Sequence, residues 1–188
     1  MPERLVLADV AHSVFDARGN DLAYQFLEGV QFMHQQNVAH LDLKPENILL
    51  TATSPQQLLL TDFGVSVQVP HQESWIEGYR GTEGYAAPEL DDDPNPKYQP
   101  IRADLWSAGR VLQYFAGRQC AGTIFVFKSL ANELMMRDPL QRPLLSNTRL
   151  ISHLYYQGSQ TLKRKLDAYA QVKETGKRKR EQYVSPVA

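Results

Sequence analysis

Three side chains that could act together fall within six residues: Asp42 offers an acceptor, Lys44 a cation and Asn47 an amide oxygen. Fifteen residues past Asn47 stand Asp62-Phe63-Gly64, which add a second carboxylate. Each group alone says little, because lone carboxylates are mostly solvated surface. Their weight comes from the ordered motifs further along the chain. The run Gly81-Thr82-Glu83-Gly84-Tyr85-Ala86-Ala87-Pro88-Glu89 precedes Asp104-Leu105-Trp106-Ser107-Ala108-Gly109, and Arg142 lies in Arg137-Asp138-Pro139-Leu140-Gln141-Arg142-Pro143.

The elements that must position these groups are legible in part. Asp21 can cap a helix whose apolar residues Leu22, Phe26, Val30 and Met33 recur at helical spacing. Ile48-Leu49-Leu50 and Leu58-Leu59-Leu60 predict two short strands, joined by a turn containing Ser54-Pro55. The first group of candidates therefore sits between a helix and a strand, and Asp62 follows the second strand. From Gly64 to Pro100 glycine and proline break all periodicity, which predicts a long loop of the kind that carries function in compact domains. Helical spacing returns at Leu105, Ala108, Leu112 and Phe115, and again at Phe127, Leu130, Ala131 and Leu134, the latter followed by Pro139 and Pro143. Leu162, Leu166, Tyr169 and Val172 mark a last amphipathic helix. The expectation is a mainly α fold with a small β element where the loop begins.

Composition limits the alternatives. A chain of 188 residues, 43% hydrophobic and 22% charged, suits one soluble domain around a single large core. Lys and Arg number 20 against 21 Asp and Glu, so net charge selects no partner. The distribution is less even, because residues 161–188 hold 8 basic and 3 acidic side chains. That tail, centred on Lys177-Arg178-Lys179-Arg180, reads as a solvated charged helix, a nuclear-import signal or a contact for an acidic partner. Cys120 is the only cysteine, which excludes a disulfide framework and a clustered thiolate metal site. No apolar run is long enough for a membrane span, and the first eight residues lack the hydrophobic region of a secretory signal. An intracellular protein, in cytoplasm or nucleus, is the expectation.

Taken in order, the motifs resemble the eukaryotic protein kinase family, specifically its C-terminal lobe. The resemblance runs over residues 1–155, leaving 156–188 as a basic amphipathic helix and tail. Lys44 and the Gly81-Thr82 pair are similar to the serine/threonine branch. The resemblance implies Mg-ATP as cofactor and a Ser/Thr protein substrate. Asp42 would orient the attacking hydroxyl, and Lys44 would neutralise charge at the γ-phosphate, since phosphoryl transfer depends on alignment and charge neutralisation. Asn47 and Asp62 would give Mg²⁺ two of the hard oxygen ligands it prefers. Gly64 would supply a sharp turn beside the metal through backbone angles closed to other residues. Lys44, Leu49 and Asp62 would contact ATP, with Leu49 as an apolar floor under adenine or simply as core. His40 would pack on Phe63, Thr82 would bond near Asp42, and Asp104 would accept backbone N–H groups of the catalytic loop. Glu89 and Arg142 would form a partly buried ion pair.

Three departures stand out. Leu41 occupies a position where many members of the family have an arginine that pairs with a loop phosphate, which leucine cannot do; Ser74 is the serine available in that loop. Only about seven residues separate the helix ending near Gly117 from the one beginning near Phe125, where the family has a further docking helix. No Gly-rich loop or strand lysine precedes His40, and Met1-Pro2 falls about where the hinge between lobes would be. The expectation is a serine/threonine kinase domain represented by one lobe, with a non-catalytic pseudokinase-like interaction module as the alternative.

Overall fold

A computed structural model describes residues 4–91, 93–118 and 124–145. The chain divides into two units, Met1–Ile151 and Ser152–Ala188, and every described residue belongs to the first. The expected helix over Leu162–Val172 and the basic run 177–180 lie outside the described residues.

The first long helix, α1 (His12–Gln35), starts nine residues before the expected cap. Asp21 is therefore no cap: its carboxylate takes the guanidinium of Arg18 and the amide of Gln25 on the helix surface. The helix runs through Gly19 despite a propensity cost of about 1 kcal/mol. Tertiary packing outweighs that cost, since Phe15 in the early turns is fully buried and meets the rings of Tyr114 and Phe115 edge-on at 6.0 and 5.8 Å. Asn37 ends the helix with φ +56, the left-handed conformation common just past a helix end, and donates to the His34 carbonyl.

A three-stranded antiparallel sheet follows the order β1 (Arg4–Val6), β3 (Ile48–Thr51), β4 (Leu58–Leu60). The β3–β4 hairpin forms in the expected register, Leu49 opposite Leu59. The partnership of β1 with β3, Val6 opposite Leu49, had no sequence signal. A three-residue strand is too short to show alternation, and its partner is more than forty residues away.

The stretch 64–100 is not one uninterrupted loop. It holds β5 (Val67–Gln68), which pairs with β2 (Val38–Ala39), and β6 (Ile76–Glu77), which pairs with β7 (Lys97–Tyr98). The first ladder ties the segment to the strand that follows α1, and the second folds the segment back on itself. Two further helices, α2 (Pro100–Arg118) and α3 (Ile124–Leu134), pack closely: a Cβ on Gly109 would lie 2.5 Å from the Met135 side chain. Residues 119–123, between these helices, lie outside the described residues. No described helix is long and apolar enough to cross a membrane.

Candidate active site

The stretch from His40 to Asn47 joins β2 to β3, and one buried carboxylate sets its shape. Asp104, fully buried on α2, accepts the backbone N–H groups of His40 and Leu41, both at 2.6 Å, and lies 3.1 Å from Nε2 of His34. Those bonds offset the cost of holding Leu41 at φ +65, a left-handed conformation that branched L residues disfavour. His40 is fixed in turn. The Asp42 N–H reaches its Nδ1 at 3.3 Å, so Nε2 carries the hydrogen that the Thr61 carbonyl accepts at 3.0 Å.

Beyond this turn the charged groups close on one another. Asp42 Oδ1 accepts the Thr82 hydroxyl at 2.6 Å, while Oδ2 accepts the Asn47 amide at 2.8 Å and lies 2.9 Å from Lys44 Nζ. Lys44 Nζ also donates to Thr82 Oγ1 at 2.7 Å, so Asp42, Lys44 and Thr82 form a three-membered ring. Burial pushes the Asp42 carboxyl up. The bonds from Thr82, Lys44 and Asn47, with the Lys44 charge, outweigh it and hold the group below its ordinary value. A carboxylate so held stays ionised and accepts hydrogen bonds at neutral pH.

Asp62 contrasts with this. It is exposed at φ +63, and its Oδ1 receives the Gly64 N–H at 3.4 Å. The left-handed turn expected at Gly64 thus falls on Asp62, one correction to the sequence reading. Gly64 contributes smallness instead, because a Cβ there would lie 3.3 Å from Asp62 Oδ1. The neighbouring Thr61 donates through N and Oγ1 to the Asn47 carbonyl at 3.0 and 3.1 Å, which ties the Asp62 turn to the Asn47 turn. Phe63 is 47% exposed, its ring centroid 4.8 Å from that of His40. Leu49 is half-buried on β3.

The donor set fits magnesium. The amide nitrogen of Asn47 is spent on the Asp42 carbonyl and carboxylate, which leaves its hard amide oxygen for a cation, and the Asp62 carboxylate is exposed. Among the described residues no cluster of three or more His, Cys, Asp or Glu could hold a metal by itself. Mg²⁺ bound by one or two protein oxygens plus phosphates needs no such cluster.

The far side of the site is anchored by Arg142, whose guanidinium is buried. It meets Glu89 through two bonds of 2.7 Å, donates to the carbonyls of Met136 and Arg102 at 2.8 Å, and lies 5.3 Å from the Trp106 ring. Two residues the sequence did not single out pin the strip carrying Thr82. Ser107 donates to the Tyr85 carbonyl at 2.8 Å and Arg110 to the Gly84 carbonyl at 2.9 Å. Their spacing of three on α2 was the available signal. His34 was likewise missed, since a histidine at a helix end looks like any polar terminus. A shallow apolar groove opens between α1 and β4, lined by Gly29, Phe32, Met33, Val38, Leu59 and Phe63.

The family model of the protein kinase domain matches residues 6–121, well over half the chain. The chain belongs to the protein kinase family. It is 47% identical over 96 residues to serine/threonine-protein kinase 17A of Oryctolagus cuniculus, a match covering 50% of this chain and 22% of the relative. It is 40% identical over 127 residues to serine/threonine-protein kinase ULK3 of Homo sapiens, covering 65% and 26%. Calcium/calmodulin-dependent protein kinase type II of Caenorhabditis briggsae is 38% identical over 99 residues, covering 52% and 18%. The kinase chain thus spans about a quarter or less of the length of these curated relatives.

Proposed function

We propose that this chain is the C-terminal lobe of a serine/threonine protein kinase that transfers the γ-phosphoryl group of ATP to a protein hydroxyl. The observation that carries the reading is the closed Asp42–Lys44–Thr82 ring with Asn47 behind it. Phosphoryl transfer depends chiefly on positioning and charge neutralisation, and this ring supplies both in a rigid setting. Asp42 accepts the hydrogen bond of the incoming hydroxyl and orients it. Lys44, already beside Asp42, neutralises charge on the transferring group. Asn47 and Asp62 hold Mg²⁺, which when bound offsets the negative charge of the phosphates. Leu49 supplies apolar surface to the adenine. Glu89, Arg142 and Asp104 keep the two loops in register and touch no reactant.

The apolar groove beside Phe63, with Phe32 65% exposed on its rim, supports the one-lobe reading. Contiguous apolar surface of this kind marks a contact with another body. The same groove favours the second reading, an interaction module without catalysis. Magnesium decides between them. By titration calorimetry the protein should bind ATP in a Mg²⁺-dependent way, and Asp62→Ala should abolish the metal-dependent part. Equal metal-dependent binding by both proteins would remove Asp62 from the site. Absence of any nucleotide binding in the complete protein, together with no transfer to Ser/Thr peptides, would favour the interaction module.

A further inference from the structure

The strongest feature left unused by this reading is Leu41. Its neighbours Asp42 and His40 belong to a polar site, yet Leu41 is 4% exposed in an apolar cluster. That cluster joins the catalytic loop to the segment after Asp62: Val69, Ala87 and Leu90 come from the segment, and Val67 and Ile76 pack against it. The backbone of Leu41 makes a second contact with the same segment. Gly81 passes so close that a Cβ on it would lie 2.9 Å from the Leu41 carbonyl oxygen, and its φ of +121 admits glycine with ease. Gly81 immediately precedes Thr82, whose hydroxyl bonds Asp42 at 2.6 Å. Leu41 thus reaches Asp42 both as its chain neighbour and through the close approach of Gly81 and the Thr82 hydrogen bond.

Besides the charged ties at Thr82, Gly84 and Glu89, several hydrogen bonds between neutral groups hold the segment. Val69 N–H donates to the Asn37 carbonyl at 2.9 Å and Gly78 N–H to the Pro96 carbonyl at 3.0 Å. The Gln72 amide donates to the His34 carbonyl at 2.9 Å, and the Gln99 amide to the Glu73 carbonyl at 3.0 Å. The nearby cation Arg80 donates to the Val65 carbonyl at 3.1 Å, within the segment itself.

We infer that Leu41 is a positioning residue: it anchors the segment by apolar burial and, through Gly81 and Thr82, sets the orientation of Asp42. The consequence for transfer rests on the kinase reading; the anchoring does not. Burial needs no added charge, so the segment is held in place by the unmodified chain.

Hydrogen exchange on the unmodified 188-residue chain tests the anchor directly. Leu41→Ala should speed exchange of the Val69 and Gly78 amides by about tenfold or more, with Val111 and Leu112 in α2 unchanged, because local opening need not follow global unfolding. Leu41→Met, which conserves volume, should restore the protection. If Leu41→Ala fails to fold, Ile76→Ala, whose side chain packs against the same cluster, should give the same local loosening. Unchanged segment exchange in both alanine variants, or equal loosening of α2, would overturn the anchor. In the complete kinase, Leu41→Ala should lower kcat while leaving KM for ATP nearly constant, with recovery in Leu41→Met. A loosened segment with unchanged kcat would overturn the positioning role. A wild-type protein that transfers no phosphate would defeat the catalytic reading alone, and the exchange result would still decide the anchor.

Discussion

The two halves of the candidate site are built differently. On one side Asp42 is closed in by Thr82, Lys44 and Asn47, all within 3 Å, and backed by Asp104 and the Glu89–Arg142 pair. On the other, Asp62 is exposed, and Phe63 beside it is nearly half exposed. The difference separates two requirements of the proposed chemistry. A group that orients a neutral hydroxyl must be rigid before the substrate arrives, because orientation is where its advantage lies. A metal ligand has to be open to an ion that arrives with its nucleotide, so exposure suits it.

The sharpest way to break this comparison is Asp42→Asn. The amide preserves size and loses the charge, so transfer by the complete kinase should fall by about 10²–10⁴-fold while ATP affinity stays nearly constant. Equal turnover would mean that the rigid half is scaffold only.

Next in size is the support behind the rigid half. Glu89→Gln leaves the Arg142 charge buried without its carboxylate, at a cost of about 3 kcal/mol. For a domain of about 150 residues that lowers Tm by about 6–12 °C, readable by calorimetry. A shift under a degree would show that the carbonyls of Met136 and Arg102 suffice for Arg142.

Acid titration sharpens the contrast further. The Asp42 carboxyl is held below its ordinary value, so its contribution to stability is complete above about pH 4, the unfolded-state value, and is lost as pH falls through the lower folded-state value. Asp42→Asn should flatten the stability profile below about pH 4, measured by denaturant unfolding. A profile unchanged by the substitution would contradict the lowered value.

The smallest effect is expected outside both halves. Ser74 shares hydrogen bonds with His71 on the segment, at 3.2 Å to its ring and to its backbone nitrogen. With the segment anchored by burial, Ser74→Ala and Ser74→Glu should both show transfer rates within about twofold of wild type, since surface changes rarely exceed about 0.5 kcal/mol. Strong activation by the glutamate variant would point to Arg80 as a charge latch.

The sequence carried the residue content of the site, because its motifs are local: Asp42 to Asn47 in six residues, Asp62 to Gly64 in three. It also carried the β3–β4 hairpin and the apolar faces of α2 and α3, whose periods are written in consecutive side chains. It could not carry β1, β5, β6 and β7, since strands of two or three residues exist only through partners elsewhere in the chain. Asp21 looked like a cap because capping signals are read locally, while Phe15 extended the helix through rings some hundred residues away. Nor could it show that the left-handed turn belongs to Asp62 and not Gly64, a choice made by the path of the loop. Leu41 illustrates the division best. From sequence it was a missing cation; in the fold it is a buried apolar contact, because burial is decided only when Val67, Val69, Ile76, Ala87 and Leu90 return to cover it.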